Sequence, residues 1–172
     1  MISVVEENEK MGSYALGKQE AVLWALTEFD HGSTCLDVGA CDGIWQKLLG
    51  ENFVMDAVEA FEPNAQKLQG YRTVYNIDID DLKYEWYDLI IFGDVIEHME
   101  VEKAQRVLNY AYMRCEDMIV AVPWMYEQGE LYGNKWEIHI QDDLTKEKFM
   151  ERYPGFEPIV EFDNYAYFHK SK

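Results

Sequence analysis

A chain of 172 residues is long enough for one domain with its own core, and its 48% hydrophobic and 15% aromatic content excludes a disordered chain. Thirty-three acidic side chains against 15 basic ones give a net charge of −18. With Lys and Arg scattered singly, such a surface repels phosphate backbones and argues against a nucleic-acid partner. Three cysteines (Cys35, Cys41, Cys115) with no C-x-x-C spacing argue against a disulfide framework and a thiolate zinc site. No apolar run reaches the roughly 18 residues of a membrane helix. MISVVEENEKMGS has neither the basic start nor the apolar run of a signal peptide, so a cytoplasmic location is expected, with residues 1–12 flexible.

Tyr14 to Phe29 reads as a helix, with Leu16, Val22, Leu23, Leu26 and Phe29 recurring at three- and four-residue steps. Asp30-His31-Gly32-Ser33 breaks it. TCLDVG (34–39) suits a buried parallel strand ending in glycine, and 44–49 reads as the helix that follows. The pattern repeats: FVMDAVEAF is a strand, PNAQKL opens a helix with Pro63 at a favourable first position, and RTVYNI is a further strand. YDLIIFG (87–93) is more apolar still. Val101 to Arg114 follows as a helix with Ala104, Val107, Leu108 and Ala111 on one face, then DMIVAVP (117–123) as a strand. An aromatic and charged loop covers 124–143, Thr145 to Tyr153 is helical, and two strands around Ile159 and Tyr165 close the chain as a hairpin. The alternation predicts a single α/β domain over 1–172: a Rossmann-like three-layer sandwich, its mostly parallel seven-stranded sheet carrying an antiparallel C-terminal hairpin at the edge. Ligands of such sheets bind beyond the carboxyl ends of the strands.

Those ends carry distinctive residues. Asp37-Val38-Gly39-Ala40-Cys41-Asp42-Gly43 has the spacing G-x-x-x-G, which fails the dinucleotide pattern G-x-G-x-x-G, and no G-K-[ST] phosphate loop follows. Asp37 places a carboxylate where a phosphate binder avoids one. Ala60-Phe61-Glu62-Pro63-Asn64 ends the second strand, and Glu62, with Glu59 as a nearby rival, offers a two-oxygen acceptor for ribose hydroxyls. Asn76-Ile77-Asp78-Ile79-Asp80-Asp81-Leu82 follows the third strand and offers an acceptor for an adenine amino group, or an ordinary solvated loop.

Taken in order, DVGACDG, AFEPN, the D-x-x-D-L run of 78–82 and YDLIIFGDVIEH resemble the class I S-adenosylmethionine-dependent methyltransferases over roughly Thr34 to Pro123. AFEPN is similar to the second-strand motif of a group of sugar-hydroxyl O-methyltransferases. The resemblance implies S-adenosylmethionine as cofactor. Asp37, Gly39 and Ala40 would lie at its methionine end, Glu62 at the ribose, Asp78 and Ile79 at the adenine, and Gly93 and Asp94 beside the methyl group, with Gly43 also among the cofactor-binding residues. Cys41 departs from the glycine of many members.

Asp94, Glu97 and His98 follow the fourth strand at spacings that share one face of a helical turn, and His139 lies in the later loop. Asp94, His98 and His139 are the candidate catalytic groups, with an imidazole as general base. Glu97, His98 and His139 could instead hold a divalent metal that acidifies an acceptor hydroxyl. Methyltransferases of small-RNA ends and of ubiquinone biosynthesis use a similar arrangement. D-V-I-E-H also resembles a stretch of metal-free members, and that scaffold reading is preferred to the metal. The aromatic loop, with Trp124, Tyr126, Tyr132 and Trp136, reads equally as a lid over the acceptor or as a packed flap. With little chain left for an acceptor domain, methylation of a small molecule, at oxygen, is expected. The alternatives are methylation of a nucleic-acid or protein end and a non-catalytic cofactor-binding module.

Overall fold

The computed structural model describes residues 17–83 and 85–172, so the expected flexible lead and the helical start at 14–16 lie outside the described residues. Five strands run parallel: β1 (Thr34–Val38), β2 (Val54–Val58), β3 (Thr73–Tyr75), β4 (Tyr87–Gly93) and β5 (Cys115–Pro123). The chain ends in a hairpin of β6 (Glu157–Glu161) and β7 (Tyr165–Ser171). The sheet order is β3-β2-β1-β4-β5-β7-β6, with β7 antiparallel between β5 and β6. The expected hairpin is therefore present, its second strand inserted into the sheet and its first left at the edge. The pairing of β6 with β7 shifts register between Pro158 and Val160.

Central strands buried on both faces need unbroken apolar runs, and Leu89-Ile90-Ile91-Phe92 and Met118-Ile119-Val120-Ala121-Val122 supply them, all buried. On one face, α4 (Val101–Tyr112) and α5 (Lys146–Arg152) cover the sheet. Ala104, Val107, Leu108 and Ala111 of α4 and Phe149 of α5 point inward, as the helical spacing predicts. Thr145 caps α5 by accepting the Lys148 N–H. On the other face lie α1 (Lys18–Glu28) and α2 (Ile44–Leu49). The α1 stripe differs from expectation. Lys18, Ala21 and Ala25 are buried, whereas Leu23 is 63% exposed and Leu26 is also exposed. Small residues let the helix axis sit close to the sheet, and the leucines fall outside that narrow contact.

Three elements here are shorter than their sequences suggest. β3 holds three residues, and α3 (Glu62–Ala65) is one turn in place of the helix expected from PNAQKL. β2 is shortened as well: the strand stops at Val58, and Glu59 becomes the first residue beyond it. Among the described residues no helix is long and apolar enough to cross a membrane.

Candidate functional site

The order β3-β2-β1-β4-β5 reverses direction between β1 and β4, so the loops after these two strands diverge and leave a crevice at their carboxyl ends. The β1 loop bends sharply, with left-handed backbone at Gly39 (φ 69°), Cys41 (φ 47°) and Gly43 (φ 73°). Its amides are spent internally: Gly39 and Ala40 donate to the Val58 carbonyl, Cys41 to Glu59 Oε2 and Gly43 to the Ala40 carbonyl. A phosphate cradle needs those N–H groups free, so the loop is not built for one.

Asp37, on β1 just below the loop, is buried. Tyr71 Oη donates to its Oδ2, while its Oδ1 has no partner among the described residues. Burial outweighs the Tyr71 bond and the nearby Lys18 charge and pushes its pKa up to about 7. Glu59 is buried beside the same loop, its Oε2 accepting from Cys41 N–H and its Oε1 from Phe61 N–H, each at 2.8 Å. Glu62 is exposed on α3 and accepts from Gln66 Nε2 at 2.9 Å. Further along the rim, Asp78 caps a short turn by accepting from Asp80 N–H and pairs with Lys103 at 3.0 Å, with Ile79 buried next to it.

Gly93 ends β4 where the indole of Trp45 comes down: a Cβ there would stand 2.4 Å from Trp45 Nε1. Asp94 follows in left-handed backbone (φ 59°) and accepts from Tyr165 Oη. Burial raises its pKa against the pull of Lys18 and Tyr165. The 3-10 turn Ile96–His98 starts after Asp94, so Asp94 lies outside it, and the expected shared helical face does not form.

What does form is a cluster. Glu97, His98 and His139 each place a ligand-type atom within 4.8 Å of the others. Glu97 is 1% exposed, and neither carboxylate oxygen has a partner among the described residues. Burial, then the Asp94 charge, raises its pKa well above the ordinary value. His98 Nδ1 lies 3.2 Å from the Ile138 carbonyl and His139 Nδ1 2.7 Å from the Tyr126 carbonyl. A carbonyl only accepts, so each Nδ1 carries a proton and each Nε2 keeps its lone pair in the neutral ring. Burial, then the neighbouring imidazole, lowers the His98 pKa to about 4, and burial lowers that of His139.

The loop 124–143 is fastened over this corner. Ile140 and Gln141 donate their amides to the Glu97 carbonyl, and Gln141 Nε2 bonds the carbonyls of Ile96 and Met99. Trp124 packs on Phe149 and Phe168, Tyr126 stacks edgewise on His139, and Tyr132 is fully solvated. Spacing alone revealed neither Lys18, Tyr71 nor Tyr165. For Lys18 a signal existed: it shares the three- and four-residue step with Ala21 and Ala25.

No family profile matches the chain, and no curated protein matches it by sequence. Its structure is similar to that of 1,6-didemethyltoxoflavin-N1-methyltransferase from Burkholderia thailandensis, which holds 1,6-didemethyltoxoflavin and S-adenosylhomocysteine. The two share 19% identity at a TM-score of 0.64 over 90% of this chain and 76% of that one. Magnesium protoporphyrin IX methyltransferase from Synechocystis, with bound S-adenosylmethionine, is similar at 15% identity and a TM-score of 0.65, over 98% and 84% of the two chains. An S-adenosylmethionine-dependent methyltransferase from Clostridium acetobutylicum matches at 10% identity and a TM-score of 0.68, over 88% of each chain. The fold is that of the class I S-adenosylmethionine-dependent methyltransferases.

Proposed function

We propose that this chain is a methyltransferase that takes its methyl group from S-adenosylmethionine and delivers it to a small-molecule acceptor, at oxygen. The observation that carries the reading is Asp37, a buried carboxylate with one orphaned oxygen at the switch point of the sheet. It suits a cationic ligand and repels a phosphate. In this reading Gly39, Ala40 and Gly43 form the backbone wall beside the methionine end, and Asp78 and Ile79 face the adenine. Gly93 and Asp94 border the methyl group. Glu59 is better placed for the ribose hydroxyls than Glu62, because it stands where β2 stops and faces the glycine loop. Each Glu59 oxygen holds one N–H and keeps a second lone pair for a hydroxyl.

When bound, S-adenosylmethionine supplies a methyl group already activated on a sulfonium. The protein then has to align the partners, exclude water and receive the acceptor's proton. Tyr165 fixes Asp94 at the end of β4, and the fastened loop shields the corner next to it. The neutral imidazoles of His98 and His139 offer Nε2 to a proton. A small acceptor is supported by the similar proteins named above, which act on small molecules.

Calorimetric titration with S-adenosylmethionine and S-adenosylhomocysteine tests the reading. Saturable binding is expected, weakened by Asp37→Ala and Glu59→Gln and little changed by Glu62→Ala. Loss on Glu62→Ala alone would return the ribose to Glu62, and absence of binding by the unsubstituted protein would end the methyltransferase reading.

The orphaned oxygens of Glu97 favour a second, metal-assisted reading of the acceptor side. Metal-binding imidazoles characteristically donate their other N–H to a carbonyl, as His98 and His139 do. One carboxylate and two imidazoles suit a divalent ion such as Mn²⁺ or Zn²⁺, with open positions for an acceptor oxygen. Bonds of about 2.1 Å put neighbouring ligands roughly 3–3.5 Å apart, so donors spread over 4.8 Å must draw together. Titration with Mn²⁺ discriminates: one-site uptake lost in His139→Ala supports the metal, and uptake unchanged by that substitution leaves the imidazoles as bases.

A further inference from the structure

Glu97 is 1% exposed, and both its carboxylate oxygens lack a partner among the described residues. A buried carboxylate is costly without a donor or a cation beside it. The donors around this corner are spent elsewhere. The amides of Ile140 and Gln141 pin the Glu97 carbonyl, the Gln141 side chain serves Ile96 and Met99, and Gln128 and Asn134 donate to Glu137. The charges that act on Glu97 are those of Asp94 and Glu137, both of its own sign. His98 and His139, the side chains that meet it, turn their Nδ1 protons to the Ile138 and Tyr126 carbonyls, so each Nε2 presents a lone pair. The corner is lined by acceptors and short of donors.

Such a corner suits an occupant with positive charge and several protons, and the spacing selects among cations. Glu97, His98 and His139 each bring one N or O atom within 4.8 Å of the others. Three hydrogen bonds of about 2.9 Å, directed to the corners of a tetrahedron, set their acceptors roughly 4.7 Å apart. An ammonium group therefore fits with the side chains where they stand, whereas the shorter bonds of a metal ion require them to draw together. A guanidinium holds its N–H groups in one plane, but the rings of His98 and His139 cross at 79° with their centroids 4.6 Å apart. A quaternary ammonium has no N–H to give.

We infer that Glu97, His98 and His139 bind a primary ammonium group of the methyl acceptor, which is thus a hydroxyl compound that also carries an amine. The inference rests on the methyltransferase reading and names the class of acceptor within it. The ammonium is an anchor and does not itself take the methyl group. With both Nε2 atoms engaged by it, the proton of the methylated hydroxyl passes to the Asp94 carboxylate, whose Oδ1 is held by Tyr165.

Calorimetry on the protein saturated with S-adenosylhomocysteine tests this with matched probes: glucosamine against glucose, and tyramine against 4-propylphenol. N,N,N-trimethyltyramine, which keeps the charge but has no N–H, is the control. A charge-assisted hydrogen bond is worth about ten- to a hundredfold in affinity. At least one amine should bind tighter than its neutral partner by about that factor, and the trimethylated control should show no such gain. Glu97→Gln and His139→Phe should each remove the gain and leave the neutral probes and S-adenosylhomocysteine unchanged. Because Glu97→Gln takes away a buried charge, its unfolding temperature should hold or rise, and His139→Phe keeps a ring against Tyr126 as a second variant. No amine preference in either pair, a preference that survives Glu97→Gln, or equal gain by the trimethylated control would overturn the inference. So would one-site Mn²⁺ uptake lost in His139→Phe without any amine preference, which would return the three side chains to the metal. Absence of S-adenosylhomocysteine binding would end the methyltransferase reading, and with it the assignment of the ammonium to an acceptor.

Discussion

Asp37→Asn separates what this residue does for stability from what it does for binding. The carboxyl titrates near 3.8 in an unfolded chain and near 7 in the native protein, because burial disfavours its charged form. The native state therefore holds this proton more tightly than the unfolded state. Its contribution to stability is fully present below pH 3.8 and is lost as pH rises toward about 7. At about 1.36 kcal/mol per pKa unit, the interval corresponds to about 4 kcal/mol. Asparagine keeps an acceptor for Tyr71 and carries no charge, so the variant should match the unsubstituted protein near pH 4 and exceed it by up to about 4 kcal/mol at pH 8. Urea unfolding of both proteins across pH 4–8 measures this, and the difference between them cancels the other titrating groups. A difference that stays constant with pH would refute the reasoning. A more stable protein that binds S-adenosylhomocysteine more weakly would identify Asp37 as a stability cost retained for the ligand.

Two further substitutions probe the walls of the crevice. Gly93→Ala forces Trp45 off its present position, since the new methyl would lie 2.4 Å from Nε1; a loss of about 1–3 kcal/mol in denaturant unfolding is expected, with weaker cofactor binding. Gln141→Ala strips acceptors and donors from Ile96, Met99, Tyr153 and Arg152 at once. It should cost about 2–4 kcal/mol and make the 124–143 segment the first site of limited proteolysis. An unchanged cleavage pattern would show that the loop is held by its aromatic packing.

The sheet was legible because its central strands obey one rule along their whole length: Leu89 to Phe92 and Met118 to Val122 are apolar without interruption, as burial on two faces demands. The α1 face was not, because periodicity weighs hydrophobic size. What decides the contact is close approach, which favours Ala21 and Ala25 over Leu23 and Leu26. Whether Glu59 lies inside β2 or beyond it is set by where the pairing with β1 and β3 stops, at Val58, which the apolar run itself does not show. Glu97, His98 and His139 were singled out from residue type, whereas their meeting depends on a loop tied by Gln141, a contact across more than 40 residues that local spacing does not encode. The pairs Tyr71–Asp37 and Tyr165–Asp94 escaped for the same reason.

The placement of β7 inside the sheet has a consequence for how copies of this chain meet one another. Both margins of the sheet are poor templates for strand addition. One margin is β3, with only three residues to offer. The other is β6, where Pro158 lacks an amide proton, the register slips before Val160, and Glu157 and Glu161 put negative charge at either end. Short length, proline, irregularity and charge are the means by which natural sheets resist edge-to-edge pairing. An intruding strand would thus find few free amides and a repelling border. The long, flat, apolar strands that would aggregate most readily are kept in the middle, where every ladder is already occupied.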